Sequence, residues 1–274
     1  MTGDLHCHSL CSDGSLSVAD ILAYAQRIGL DYVAITDHDT LAGVERARVI
    51  GQALGVGVIP GVEISCRDDQ RDRPVHMLCY FPRDPVTLQA FLDRTLRSRA
   101  ATKRQMIAKI MARYPVTLEH IERYSSQSQS IYESHIMQAL ADLGYTNVAI
   151  GPLMEELISS RGSCYVPNRY PDVREVARLI RQVGGIAVMA HPGQFDSADL
   201  LEELAAAKMV RGVEYNHPRN DAATRARIGA IAERYRLIAT GGSDFHGPYA
   251  KVPHPLGSFT CSGPAIAGLI ALSR

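Results

Sequence analysis

Asp4-Leu5-His6-Cys7-His8-Ser9, followed by Asp13-Gly14, is the stretch from which the architecture of this chain can be read. On a strand, side chains repeat every two residues, so His6 and His8 point to one side and Cys7 to the other. Two neutral imidazoles converging on one point suit a Zn²⁺, Mn²⁺ or Fe²⁺ site. The pair is not isolated. Ile35-Thr36-Asp37-His38-Asp39, Pro60-Gly61-Val62-Glu63, Val75-His76, Ala190-His191-Pro192 and Gly242-Ser243-Asp244-Phe245-His246 each put a metal-type ligand at or just past an apolar run. Strand ends converging on a metal cluster account for all of them.

Outward from that stretch, Ser17 and Asp20 form a capping-box pattern, and Val18, Ile21, Leu22, Ala25 and Ile28 make a helical stripe that Gly29 ends. Residues 32–36 read as a buried strand, 41–54 as a helix stopped by Gly55, and 56–65 and 75–81 as two more strands. The charged run 67–73 between the last two reads as a solvated hairpin turn. Strands alternating with helices predict a parallel sheet, with functional groups at the carboxyl ends of the strands.

Between about residues 87 and 171 the rhythm changes. A long polar helix (88–113) leads to a Ser/Gln-rich loop (125–130) and a helix with Ile136, Met137, Leu140 and Leu143 on one face. Residues 164–166 offer the one strand candidate there. This segment is expected to be a helical insertion, either a lid over the site or a subdomain apart from it. The first pattern then resumes. A helix follows Asp172, a strand over 186–190 ends at His191, and a strand over 213–215 leads to His217. A strand over 237–240 delivers Asp244 and His246, and a closing helix covers 264–272. Seven strand units result, with residues 1–86 and 172–274 forming the barrel and 87–171 the insertion.

The totals narrow the function. The 274 residues are 46% hydrophobic and 21% charged, ordinary values for a globular domain. Lys+Arg and Asp+Glu both number 29, so nothing global draws the chain to an anionic membrane or to long duplex nucleic acid. Six cysteines without a CxxC pair or a disulfide-like cluster point to reduced thiols in the cytoplasm. With the motif starting at residue 4, no leader peptide is expected, and no apolar run is long enough for a membrane span.

Taken together, these segments resemble the PHP (polymerase and histidinol phosphatase) family of metal-dependent phosphoesterases. The resemblance covers nearly the whole length. It implies a distorted (β/α)7 barrel of the α/β class with a helical insertion after the fourth strand. Within the family the chain looks most like stand-alone members that release phosphate from nucleoside 3′,5′-bisphosphates or 5′-nucleotides from short RNA ends. The implied activity is hydrolysis of phosphate monoesters of small nucleotides by attack of a metal-bridging hydroxide. The alternatives are a 5′-3′ exoribonuclease on short oligonucleotides, a histidinol phosphatase and, last, a non-enzymatic accessory domain.

The family's pattern maps onto two to three divalent ions, Mn²⁺ first, with Fe²⁺ or Zn²⁺ also suited to the donor set. The implied ligands are His6, His8, Glu63 and Asp244 for the first ion, Asp13, His38 and His246 for the second, and Glu63, His76 and His191 for the third. Asp37 and Asp39 are expected either to orient imidazole N–H groups or to cap a strand end. His217 is expected to act on substrate or in proton transfer, or else to make a structural hydrogen bond. His135 aligns with a histidine that relatives place over the site, but the Arg usual two residues before it is Glu133 here. Arg161, Arg169 or Arg219 can supply the missing cation.

Overall fold

The computed structural model describes residues 1–248 and 254–274. β1 (Thr2–Cys7) carries the opening motif and is buried from its second residue on. α1 (Val18–Ile28) starts where the Ser17 side chain accepts the Asp20 N–H and ends at Gly29 in the left-handed region. β2 (Tyr32–Ile35) pairs in parallel with β1. α2 (Val44–Leu54) follows, three residues later than the sequence pattern suggests.

The expected strand over 56–65 is two strands. β3 (Gly57–Val58) extends the first sheet beside β2, and β4 (Gly61–Asp68) opens a second sheet. Pro60 lies at the break, where a residue without an N–H cannot continue a ladder. β5 (Arg73–Tyr80) returns antiparallel to β4 through the charged turn, since four residues cannot make the crossover a parallel pair requires.

α3 (Pro85–Met111), α4 (Leu118–Ser125), α5 (Glu133–Asp142) and α6 (Pro152–Leu157) form the insertion. They share a core that includes Ile110, Ile121, Ile136 and Leu140. Residues 164–166 do not form a strand; Cys164 is buried in that same core instead. α7 (Val173–Gln182), β6 (Ile186–Met189), a 3₁₀ turn at Pro192–Phe195, α8 (Ala198–Ala206), β7 (Gly212–Asn216) and α9 (Ala222–Tyr235) continue the alternation. β8 (Ile238–Gly241), β9 (Cys261–Ser262) and α10 (Gly263–Ser273) complete the described chain.

The architecture is mixed α/β, with two mixed sheets where a distorted (β/α)7 barrel was expected. One sheet runs β3-β2-β1-β9 and the other β4-β5-β6-β7-β8. β4–β5, β5–β6 and β1–β9 are antiparallel, so neither sheet is all-parallel. The sheets meet through single bridges, His38 to Glu63 and Cys7 to Phe245, and do not close. Both bridges involve or adjoin the predicted ligands. The seam between the sheets is therefore where the site lies.

Candidate metal centre

Each candidate ligand sits in a strand or a few residues beyond one. His6 lies in β1 and His8 just past it, Glu63 in β4, and His76 in β5. His38, His191, Asp244 and His246 follow β2, β6 and β8. Alternation on β1 sends Cys7 into the apolar cluster with Val18 and Ile21 while His6 and His8 face the seam. Close approach is obligatory here. A Cβ on Gly14 would lie 2.2 Å from the His8 carbonyl oxygen, and one on Gly242 would lie 2.3 Å from the His6 Cβ. Asp39, His191 and Asp244 adopt positive φ, the backbone strain that collects where a structure fixes functional groups.

Glu63 is the hub. Its Oε2 lies 3.2 Å from His6 Nε2, His8 Nε2 and His38 Nδ1, and its Oε1 lies 2.8 Å from His76 Nδ1 and His191 Nε2. Asp244 Oδ1 is 3.2 Å from His8 Nε2. Asp13 Oδ2 is 3.4 Å from His246 Nε2 and 3.9 Å from His38 Nε2. Ligand atoms cluster within 4.8 Å in the sets His6/His8/Glu63/Asp244, His8/Asp13/His38/His246 and His38/Glu63/His76.

The donor chemistry fits divalent ions. His6 Nε2, both His8 nitrogens, His38 Nδ1 and His191 Nδ1 are buried without a hydrogen-bond partner. Burial alone would raise the carboxyls of Glu63, Asp244 and Asp13, yet the surrounding imidazoles hold all three well below their usual range. Burial likewise disfavours a charged His6, but Glu214, Glu63 and Asp244 more than offset it and hold the imidazole well above its usual value. Three ionised carboxylates among imidazoles with unpaired nitrogens form an N/O cation site without thiolate.

A PHP domain model matches residues 4–185. The chain belongs to the PHP family. It is 39% identical over 256 residues to a phosphoribosyl 1,2-cyclic phosphate 1,2-diphosphodiesterase of Eggerthella lenta, covering 93% of this chain and 97% of that one. It is 27% identical over 250 residues to a 3′,5′-nucleoside bisphosphate phosphatase of Chromobacterium violaceum, covering 89% and 87%. A 5′-3′ exoribonuclease of Escherichia coli is 28% identical over 253 residues, covering 89% and 85%. Among solved structures, a protein described as a metal-dependent phosphoesterase from Bifidobacterium adolescentis superposes with a TM-score of 0.91 at 28% identity, covering 98% and 96%. Among the described residues, no helix is long and apolar enough to cross a membrane.

Around the cluster, this PHP domain has an outer layer that sequence reading missed in part. Glu214, buried in β7, accepts the His6 Nδ1–H at 2.9 Å and the His191 backbone N–H at 2.9 Å. The imidazole-orienting role considered for Asp37 falls to Glu214 instead. Asp37 accepts from the Ser9 N–H, the Ser9 hydroxyl and the Ser12 hydroxyl, and so shapes the loop that carries Asp13. Asp39 accepts from the Ser65 N–H and pairs with the buried Arg99. The clue to Glu214 was a carboxylate inside the apolar run that leads to His217-Pro218.

His217 is buried. Its Nδ1 accepts the Arg219 N–H at 3.0 Å, which in the neutral ring places the proton on Nε2, 3.6 Å from Asp244 Oδ2. The insertion reaches the centre through Tyr132. Its hydroxyl donates to the His38 carbonyl at 2.9 Å, and its ring stacks on the His38 imidazole at 23°. Arg99 of α3 lies over the Tyr132 ring, 4.6 Å from its centroid.

His135 lies at the start of α5, accepting the Tyr132 N–H at 3.2 Å, and its neighbour Ser134 donates to the Asp13 carbonyl at 3.4 Å. Burial pushes the His135 imidazole down to about 4. Glu133 pairs with the buried Lys103 of α3. Arg161 and Arg169 are exposed, and Arg169 borders a separate groove with Arg94 and Tyr170. A cavity of about 180 Å³ opens over the ligands and is also lined by Ile150, Gln194, Arg219 and His254. Neither Arg161 nor Arg169 is among the described residues that line it.

Proposed function

We propose that this PHP protein is a metal-dependent phosphoesterase that hydrolyses small phosphorylated ribose derivatives. The observation that carries the reading is Glu63, whose two oxygens face five imidazoles between the carboxylates of Asp13 and Asp244 at the floor of an open cavity. Two to three divalent ions, Mn²⁺ first and Fe²⁺ or Zn²⁺ next, would be held by His6, His8, Glu63 and Asp244, by Asp13, His38 and His246, and by Glu63, His76 and His191. Such ions, when bound, lower the pKa of water for attack on phosphorus and neutralise charge on the phosphoryl oxygens.

The protein's own groups supply the rest. Glu214 fixes the His6 tautomer so that Nε2 faces the cluster. Tyr132 holds His38, and Asp37 holds the loop that presents Asp13. His217, whose buried Nε2 lies 3.6 Å from Asp244 Oδ2, would donate to a substrate phosphate or to the departing oxygen. His135, neutral and buried at the start of α5, would bind substrate from the insertion.

A 1,2-cyclic phosphate of a phosphorylated ribose is the leading substrate, since the relative named for that compound shares 39% identity over nearly the full length of both chains. A nucleoside 3′,5′-bisphosphate or a short oligonucleotide is the second reading, supported by relatives at 27% and 28%. All three substrates carry an ester to ribose and a further phosphate group. The deciding assay measures turnover by Mn²⁺-loaded protein on phosphoribosyl 1,2-cyclic phosphate, adenosine 3′,5′-bisphosphate, AMP, histidinol phosphate and a short 5′-phosphorylated RNA. Ring opening of the cyclic diester at least tenfold faster than any other substrate is expected, with activity lost on chelation and restored by Mn²⁺. Activity unaffected by chelation, or none on any compound, would refute the proposal.

A further inference from the structure

The metal cluster accounts for one wall of the cavity. The same cavity is also lined by Arg219, Gln194 and His254. Arg219 is built into the fold at its backbone and left open at its head. Its N–H donates to His217 Nδ1, and a Cβ on Gly193 would lie 2.3 Å from its carbonyl oxygen. The next residue, Asn220, is buried. It accepts the Gly193 N–H at 2.8 Å and donates to the carbonyls of Glu214 and Tyr215. The chain around Arg219 is thus pinned from the 3₁₀ turn after β6 and from β7.

The guanidinium, by contrast, makes no ion pair or hydrogen bond among the described residues. Arg67, Arg71, Arg73, Arg99, Arg174 and Arg234 all pair with carboxylates. An arginine held at its backbone, bare at its fork and lining the same small cavity as the candidate metal ligands suits an anion that also reaches those ligands. His254 borders the same cavity and lies close enough for the Arg219 charge, after burial, to depress its imidazole. Gln194 adds an amide donor in the same cavity.

We infer that Arg219, flanked by Gln194 and His254, is the subsite for the second phosphate of the substrate, the one that is not cleaved. This makes Arg219 the residue that separates doubly phosphorylated ribose compounds from singly phosphorylated ones. Glu133 is then tolerated where a cation was expected, because Arg219 supplies the charge instead. It rests on the phosphoesterase reading above.

Two measurements test it. In steady-state kinetics, Arg219→Ala should raise KM for adenosine 3′,5′-bisphosphate and phosphoribosyl 1,2-cyclic phosphate about 10- to 100-fold, with kcat little changed. KM for AMP and for ribose 1,2-cyclic phosphate should move less than about twofold, and Arg219→Lys should recover part of the loss. Equal effects on both substrate classes, or none on either, would overturn the assignment. Calorimetric binding of adenosine 3′,5′-bisphosphate to metal-free protein gives the second readout, with Arg219→Ala expected to bind at least about tenfold more weakly. That difference stands even if no substrate is turned over, so it separates failure of the subsite from failure of the proposed activity. Equal binding by the two proteins, or none by either, refutes the subsite.

Discussion

At His6, the nitrogen that faces the candidate metal ligands is set by the one that does not. Nδ1–H donates to Glu214, which leaves Nε2 at 3.2 Å from Glu63. Burial raises the Glu214 carboxyl, but His6 and His217 outweigh it and keep the group below its usual range, so at neutral pH it is purely an acceptor. A glutamine there keeps the shape but offers half the acceptor capacity, and its amide can turn an N–H toward the ring. Glu214→Gln should therefore weaken divalent-ion binding about 10- to 100-fold. Calorimetric titration of metal-free protein with Mn²⁺ and Zn²⁺ measures this. Wild-type affinity in the variant would mean that Glu214 does not orient His6. Substitution of His76 or His191, both on Glu63 Oε1, addresses the third ion set. Alanine at either should lower kcat while leaving part of the bound metal in place, read as metal content against rate.

At the scale of elements, the long helix α3 is what makes the insertion part of the site. Arg99 reaches from it to Asp39 and Tyr132, and Lys103 from the next turn reaches Glu133 at the start of α5. Lys103 is 2% exposed and Glu133 29% exposed, so removing one partner strands a largely desolvated charge. Lys103→Met should cost about 2–3 kcal/mol, the low end for a broken buried pair because Glu133 keeps some water contact. The double variant Lys103→Met, Glu133→Leu should regain most of that, since a well-packed apolar pair replaces the ion pair at little net cost. Urea unfolding of the four proteins in the cycle decides it. A double variant as unstable as the single would show that the pair matters through shape and not through charge.

The whole molecule is held at its second sheet by a charge network away from the metal seam. Asp68, at the end of β4, is fully buried and meets Arg71, Arg73 and Arg174, which also bind Asp199 and Glu203 of α8. The β4–β5 hairpin is thereby tied to α7 and α8. Burial raises the Asp68 carboxyl, but hydrogen bonds from Arg174 and Arg71 win and leave it below its usual range. A carboxyl depressed in the folded state stabilises fully above its unfolded pKa of about 3.9, and that stability is lost as pH falls through the lower folded value. Folding stability should therefore decline as pH drops below about 4, and Asp68→Asn should flatten that part of the curve while lowering stability at neutral pH. Chemical denaturation from pH 2 to pH 7 reads both effects. An unchanged acid slope in the variant would remove Asp68 from the account.

The sequence by itself determined the inventory of the site. Ligand-type side chains stand at fixed offsets from apolar runs, and alternation along β1 suffices to send His6 and His8 one way and Cys7 the other. It also determined the helix boundaries at Ser17, Gly29 and Asp172, because caps are local backbone chemistry. Local patterns could not decide strand direction, since a ladder partner lies far along the chain. The parallel barrel thus became two mixed sheets split near Pro60 and joined at His38–Glu63 and Cys7–Phe245. Tertiary structure decided the roles of isolated charges as well. Glu214 sits behind His6, Glu133 is neutralised by Lys103, Arg161 and Arg169 remain outside the cavity, and Arg219 borders it. A charge acquires its function from the partner and the dielectric that folding brings to it, and neither is written in the residues beside it.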